Sequence, residues 1–294
     1  MTSMLKPPGT NEADSVRPLG RQEFEELRQL ARRSFGLDLK PGKEELVRAR
    51  LRQLMRCGNF DSYRDYCRHV VEDSTGEALA AMIDALATNH TSFLREPDHF
   101  DFLRQSIVPM LAERESVEIW SAACSTGEEV WTLACLLQEV LPSKKIRIHA
   151  TDISRKALKF AASACYPAER CQAVPKAWLS RYFTPVPGAQ NSYRVAAPIR
   201  ETASFRRLNL LEAYGWTRPF PVIFCRNVMI YFDKPTQERV VRQLTDCLEP
   251  GGYLLVGHAE SLTRVAHSLD YVRPAIYCKP GRKPERRQGP WSRS

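Results

Sequence analysis

Residues 120–131 read Trp120-Ser-Ala-Ala-Cys-Ser-Thr-Gly-Glu-Glu-Val-Trp131, and their reading decides the fold. A short apolar run, Val117–Trp120, leads into them. Beyond them Val130, Leu133, Ala134 and Leu137 recur at helical spacing, so the stretch is a strand, a small-residue turn and a helix. Such a turn lets a ligand lie against backbone, over the unpaired N–H groups of a helix N-terminus. A second strand, Ile146-Arg-Ile-His-Ala-Thr-Asp152, ends in an acid. Nucleotide sites of α/β proteins place a ribose-binding acid roughly 20 residues past the first turn. Together the two features point to an adenosine-containing ligand.

The turn chemistry narrows the choice. A dinucleotide site wants G-x-G-x-x-G, because a pyrophosphate must sit against bare backbone. Here there is one glycine, Gly127, followed by Glu128 and Glu129. Carboxylates repel a pyrophosphate and suit a ligand carrying an ammonium and a sulfonium, and S-adenosylmethionine is such a ligand. The same residues also read as an ordinary strand-to-helix turn, with Ser125 or Thr126 as N-cap and two acids in the first helical turn.

Working outward, strand and helix alternate: Val117–Trp120, helix 127–140, strand 146–151, helix 154–164, strand Val222–Cys225, helix 235–248 and strand Tyr253–Gly257. That order predicts a mostly parallel sheet with helices on both faces. Residues 184–206 break the rhythm with Pro185, Pro187, Gly188 and Asn191. Ser192–Val195 and Ala203–Phe205 read there as short strands of a small antiparallel insertion. Tyr271–Lys279 supplies a last strand, which Pro274 confines to an edge or a hairpin break.

Upstream, residues 21–88 read as helices with short breaks. Phe24, Leu27, Leu30 and Ala31 form one apolar stripe, and Val47, Leu51 and Leu54 another. Arg48, Arg52 and Arg56, four apart, lie on a separate face of the second helix, either as a solvated flank or as a docking strip for an acidic helix. The expected division is a loose segment over 1–19, a helical domain over 20–88, a linker with its own helix over 89–116, an α/β domain over 117–280 and a basic, disordered tail over 281–294.

Composition sets limits. The 294 residues can bury a full core, and the net charge of +9 includes +4 from the tail, with its five basic residues and one acid. No nucleic-acid-binding motif is present, so a nucleic-acid partner is not expected. The nine cysteines show no C-x-x-C spacing and no histidine pattern, so they predict reduced thiols, a cytoplasmic setting and no metal site. Cys124 has no identifiable base beside it in sequence and is not read as a nucleophile. The start lacks a signal-peptide h-region, and no run of about 18 apolar residues predicts a membrane span.

Five segments, in order, carry a resemblance: Thr88-Asn-His-Thr-Ser-Phe-Leu-Arg-Glu96, Trp120–Glu129, Ala150-Thr-Asp-Ile153, Leu208-Asn-Leu-Leu211 and Phe224-Cys-Arg-Asn-Val-Met-Ile-Tyr-Phe-Asp233. Together they resemble the chemotaxis-receptor methyltransferase (CheR) family over about residues 21–280. The resemblance implies a cytosolic enzyme that moves a methyl group from S-adenosylmethionine to glutamate side chains of chemoreceptors. It implies a small all-α N-terminal domain and a Rossmann-like methyltransferase domain with an inserted antiparallel β subdomain.

Residue by residue, the resemblance implies that Asn89, Thr91 and Arg95 line the cofactor site from the interdomain linker. Glu129 would meet the methionine or adenosine portion and Asp152 the ribose, with Asn209 and Leu210 flanking the adenine. Arg226 and Asn227 would close the pocket. Arg95 and Tyr231 would lie near the transferred methyl and position the reacting groups. On this reading the Arg48/Arg52/Arg56 strip docks the cytoplasmic domain of the receptor, and the enzyme is expected to be a monomer.

This chain departs from the family pattern in three places. Val130-Trp131 stands where Pro-Tyr is familiar, Cys124 where alanine is common, and His90 where an apolar residue is usual. None removes a cofactor-contact type. Two other functions fit the same pattern: a catalytically silent cofactor-binding adaptor, or a methyltransferase of this fold with a different substrate.

Overall fold

The computed structural model describes residues 18–188 and 191–281. The loose start and most of the basic tail expected from sequence lie outside that range. The chain divides into two compact units, one ending at Ala87 and the other beginning at Thr88.

The first unit is all helical: α1 (Arg21–Phe35), α2 (Glu44–Cys57), α3 (Tyr63–Glu72) and α4 (Glu77–Leu86). The α1 stripe Phe24, Leu27, Leu30 and Ala31 is buried, and the helix stops at Gly36 in the left-handed region (φ 79°). On α2 the buried row is Val47, Leu51 and Met55. Leu54, expected from sequence in that row, is only half-buried, because Met55 completes the i, i+4, i+8 ladder. Ser62 caps α3, its hydroxyl accepting from the Asp65 N–H at 3.2 Å.

The second unit begins with α5 (Asp98–Phe102), a π-helical turn over Leu103–Ile107, and α6 (Val108–Ala112). Then follow β1 (Ser116–Ser121), α7 (Glu128–Val140), β2 (Lys145–Asp152), α8 (Arg155–Ser163) and β3 (Cys165–Pro167). Next come α9 (Lys176–Tyr182), β4 (Phe183–Pro185), β5 (Ser192–Val195), α10 (Ala197–Arg200) and β6 (Ala203–Arg207). The unit closes with β7 (Phe220–Cys225), α11 (Lys234–Asp246), β8 (Leu248–Val256), β9 (Asp270–Arg273) and β10 (Ile276–Cys278).

Seven strands form one mixed sheet in the order β6-β2-β1-β7-β8-β10-β9, parallel except at β10, which runs against both its neighbours. Strand period 2 sorts the core into two faces. Val117, Ile119, Val222 and Phe224 pack with α7 residues Val130, Leu133 and Leu137. Trp120, Ile223 and Cys225 pack with α11 residues Val240, Val241 and Leu244. The Rossmann-like α/β architecture is thus the one expected. Pro274 breaks β9 from β10, as anticipated, at a turn that puts Ala275 in the left-handed region (φ 63°).

The small antiparallel sheet differs in its membership from the expectation. Its order is β3-β5-β4, so it spans 165–195 rather than 184–206. Ala203–Phe205, read as one of its strands, belongs to β6, which pairs in parallel with β2 at the edge of the main sheet, Ile148 facing Ala203 and Asp152 facing Arg207. A short alternating run declares a strand but not its neighbour.

Parallel register brings Ser121 opposite both Ala150 and Phe224, so the carboxyl ends of β2, β1 and β7 finish together. The strand order reverses direction between β1 and β7, the place where open α/β sheets leave a crevice. Gly127 sits at the start of α7 with φ 93°. A Cβ there would meet the Ala161 Cβ at 2.8 Å and the Tyr166 hydroxyl at 2.9 Å. Gly127→Ala should therefore cost roughly 2–4 kcal/mol in urea unfolding, from backbone strain plus overpacking; an unchanged midpoint would show that the turn has room to spare.

Candidate functional site

The β1–α7 turn is built for close approach. Ser125 (φ 49°) and Gly127 are both left-handed, and Gly127, not Ser125 or Thr126, occupies the N-cap of α7. Asp152 ends β2 and ties the turn down, its Oδ2 accepting from the Ser125 N–H at 2.8 Å and its Oδ1 from the Ser154 N–H at 2.9 Å. The Leu208 N–H donates to the Asp152 carbonyl at 3.0 Å, which sets the segment with Asn209 and Leu210 beside the same strand end. Both of those residues are buried, and the Asn209 carboxamide accepts from the Leu211 N–H at 3.1 Å.

The two glutamates of the turn have separate fates. Glu129, 9% exposed, accepts from the Ser121 hydroxyl at 2.7 Å and from Arg226 Nη1 at 2.9 Å. Glu128 is fully buried, accepts from the Thr126 hydroxyl at 2.7 Å, and pairs with Arg170 from the insertion. Burial pushes the Glu128 carboxyl up, against the Thr126 bond and the Arg170 charge.

Arg226 joins the strand ends. Its side chain is 3% exposed, and besides Glu129 it reaches Glu96 Oε2 at 3.0 Å with Nη2 and donates to the Arg95 carbonyl. Asn227 (φ 60°) donates from its carboxamide to Glu96 Oε1 at 3.0 Å. Burial alone would raise the Glu96 carboxyl. The Asn227 bond, the Arg226 charge and bond, and the His258 N–H outweigh it and hold Glu96 at about 2.

The remaining expected residues fall as follows. Asn89 and Thr91 are half-buried in the segment before Phe93, and the Arg95 guanidinium donates to the His90 carbonyl at 2.7 Å. Tyr231 ends a short 3-10 turn, Met229–Tyr231, just past Asn227. On the first unit, Arg52 and Arg56 flank a depression of about 410 Å³ with Ala49, Gln53 and Cys57, while Arg48 turns to Glu45 at 2.8 Å. Cys124 is buried, and burial pushes its thiol well up, which removes the thiolate a nucleophile needs.

Comparison with known proteins assigns the family. The profile of the CheR methyltransferase, SAM binding domain, matches residues 89–277, and that of the CheR methyltransferase, all-alpha domain, matches 22–87. A chemotaxis protein methyltransferase of Borreliella burgdorferi is 35% identical over 88% of this chain and 94% of its own length. Chemotaxis protein methyltransferase 2 of Pseudomonas aeruginosa is 35% identical over 87% of this chain and 92% of its own.

The chain belongs to the CheR methyltransferase family. It is an S-adenosylmethionine-dependent chemotaxis methyltransferase. Among the described residues no helix is long and apolar enough to cross a membrane.

Several groups at these strand ends were not singled out from sequence. Glu96 stood in a quoted motif without a role, and Glu128 was read with Glu129 as facing the ligand, whereas it is buried on Thr126 and Arg170. Arg170, His99 and Glu260 carried no local signal, because each acquires its partners through the fold. Glu96, His99 and His258 offer ligand atoms within 4.8 Å of one another. Glu96, though, already spends one oxygen on Asn227 and the other on Arg226, and a metal ion beside that guanidinium would be repelled.

His99 is 1% exposed, and burial first, then the Arg226 charge, depress it to about 3 from an ordinary 6.5. Between those values the unfolded chain binds a proton that the folded one refuses, so acidification destabilises the fold. Wild-type stability should drop by about 2 kcal/mol more between pH 7 and pH 5 than that of His99→Gln, measured by urea titration. Parallel profiles for the two proteins would show that His99 charges freely in the fold.

Proposed function

We propose that the site at the ends of β1, β2 and β7 takes S-adenosylmethionine and transfers its methyl group to glutamate side chains in the cytoplasmic domain of chemoreceptors, leaving glutamate methyl esters. The observation that carries this reading is the gathering of three carboxylates at the strand ends, Glu96 and Glu129 on the buried Arg226 guanidinium and Asp152 on the Ser125 N–H, against a turn whose glycine lets backbone approach a ligand. Such a site favours a cationic ligand over a polyphosphate.

The donor set fits the cofactor. A carboxylate has about four acceptor positions, so Glu129 can hold Ser121 and Arg226 and still receive an ammonium. Asp152 at the strand end suits ribose hydroxyls. Asn209 and Leu210 beside it suit the adenine, Asn89, Thr91 and Asn227 complete the wall, and Arg226 fixes Glu129. When bound, the cofactor supplies an electrophilic methyl on sulfur.

The remaining work belongs to the chain. A glutamate carboxylate, with a pKa of about 4.3, is already ionised at pH 7 and needs no general base. What slows it is hydration, so the protein must strip water and align the oxygen with the methyl for in-line displacement. Arg95 can hold that carboxylate without giving up a proton, since arginine stays charged above pH 12 or so. The Tyr231 hydroxyl can orient it. Arg52 and Arg56, with Arg48 beside them, offer positive charge to an acidic receptor helix.

The test is methyl transfer from labelled S-adenosylmethionine to candidate receptors, read as base-labile esters mapped by mass spectrometry. The wild type should esterify glutamates. Asp152→Ala should lose transfer and weaken S-adenosylhomocysteine binding by roughly a hundredfold or more in calorimetry, the loss expected when a charge-assisted bond goes. Cofactor binding without any ester would favour the silent-adaptor reading, and unchanged affinity in Asp152→Ala would remove that residue from the site.

A further inference from the structure

Glu260, just beyond β8, is buried deep beside the loop that carries Arg226, Asn227 and Tyr231, and it makes none of the contacts described so far. Its side chain accepts from four backbone N–H groups. Oε2 takes Asn227 at 2.6 Å and Gly257 at 2.6 Å; Oε1 takes Met229 at 2.6 Å and Ile230 at 3.3 Å. Residue 260 is 6% exposed, so these donors have little water to turn to. From the other side, the Gln237 carboxamide on α11 donates to the Met229 carbonyl at 2.9 Å and the Phe232 carbonyl at 3.1 Å.

The loop needs such support. Asn227 holds a left-handed backbone (φ 60°) that a residue with a Cβ adopts only under strain. Gly257 is bare for lack of space: a Cβ there would strike the Asn227 carboxamide and lie 2.8 Å from Glu260 Oε2. Four N–H groups converging on one buried spot require an acceptor with two oxygens. A carboxylate supplies that, and an amide would turn an NH2 toward two of the donors.

We infer that Glu260, assisted by Gln237, is a positioning residue for methyl transfer: it clamps the 227–231 loop so that Asn227 stays on Glu96 and Tyr231 is held where the acceptor carboxylate arrives. This deepens the proposed function and rests on it. Glu260 touches neither substrate nor cofactor and acts through the backbone of the loop. Asp152, tied to Ser125 and Ser154, and Glu129, tied to Ser121 and Arg226, face the cofactor from the other strand ends. They make no contact with Glu260, so loosening the clamp reaches the cofactor chiefly through Asn227.

The experiment uses the full-length enzyme with receptor and labelled S-adenosylmethionine. Glu260→Gln should lower kcat by roughly ten- to a hundredfold, the cost of about an ångström of misplacement. Calorimetric Kd for S-adenosylhomocysteine should stay within about threefold, a split that mere unfolding would not produce. Because the clamp acts through the loop, the E260Q/Y231F double variant should be no slower than the slower single variant. Should E260Q fail to fold, Gln237→Ala, which loosens the loop from its carbonyl side, should show the same kcat loss with cofactor binding retained. Full kcat in a folded E260Q, additive effects in the double variant, or full kcat in Q237A overturns the inference. Wild-type enzyme that esterifies no receptor overturns instead the function on which it rests.

Discussion

Everything at the strand ends hangs on Arg226. A guanidinium this deeply buried is tolerated only if its charge is met, and Glu129 from the β1–α7 turn and Glu96 from the segment before α5 meet it. The relation is mutual, since two carboxylates this close would repel each other without the cation between them. One side chain at the end of β7 thereby fixes the β1–α7 turn on one side and the Arg95–Glu96 backbone on the other. Pairing sets the order of the groups around the crevice more than it stabilises the fold.

Strain gathers in the same place. Leu94, Glu96, Ser125 and Asn227 are all non-glycine residues with positive φ, between 49° and 60°. Such conformations persist where surrounding bonds over-determine them. Here the bonds are visible: Asp152 on Ser125, Thr132 on Leu94, Arg226 on the Arg95 carbonyl, Glu260 on Asn227. The site is thus a set of bent loops, each held by a buried polar side chain from a different strand end or helix, and the sheet core beneath supplies the rigidity.

How much of this could be read from the chain alone follows from range. The β1–turn–α7 unit and the acid at the end of β2 were legible, because strand period, helical period and a glycine turn are local. The two faces of the sheet were legible for the same reason. The placement of β6 was not, since pairing with β2 joins residues some distance apart in sequence and alternation does not name a partner. Arg226 was visible within a motif, but that it would bridge Glu96 and Glu129 was not. Glu260 was invisible: a lone acid among small residues announces nothing until four backbone N–H groups from 227–257 close around it. Local pattern therefore gave the frame, and long-range satisfaction of buried charge gave the site.

The most direct measurement is urea unfolding of Arg226→Met with and without S-adenosylhomocysteine. Removing one member of a buried charged set leaves the others uncompensated, so the variant should lose about 3–5 kcal/mol and lose most of the stabilisation that ligand gives the wild type. A variant that unfolds at the wild-type midpoint and still gains the full ligand shift would contradict the account.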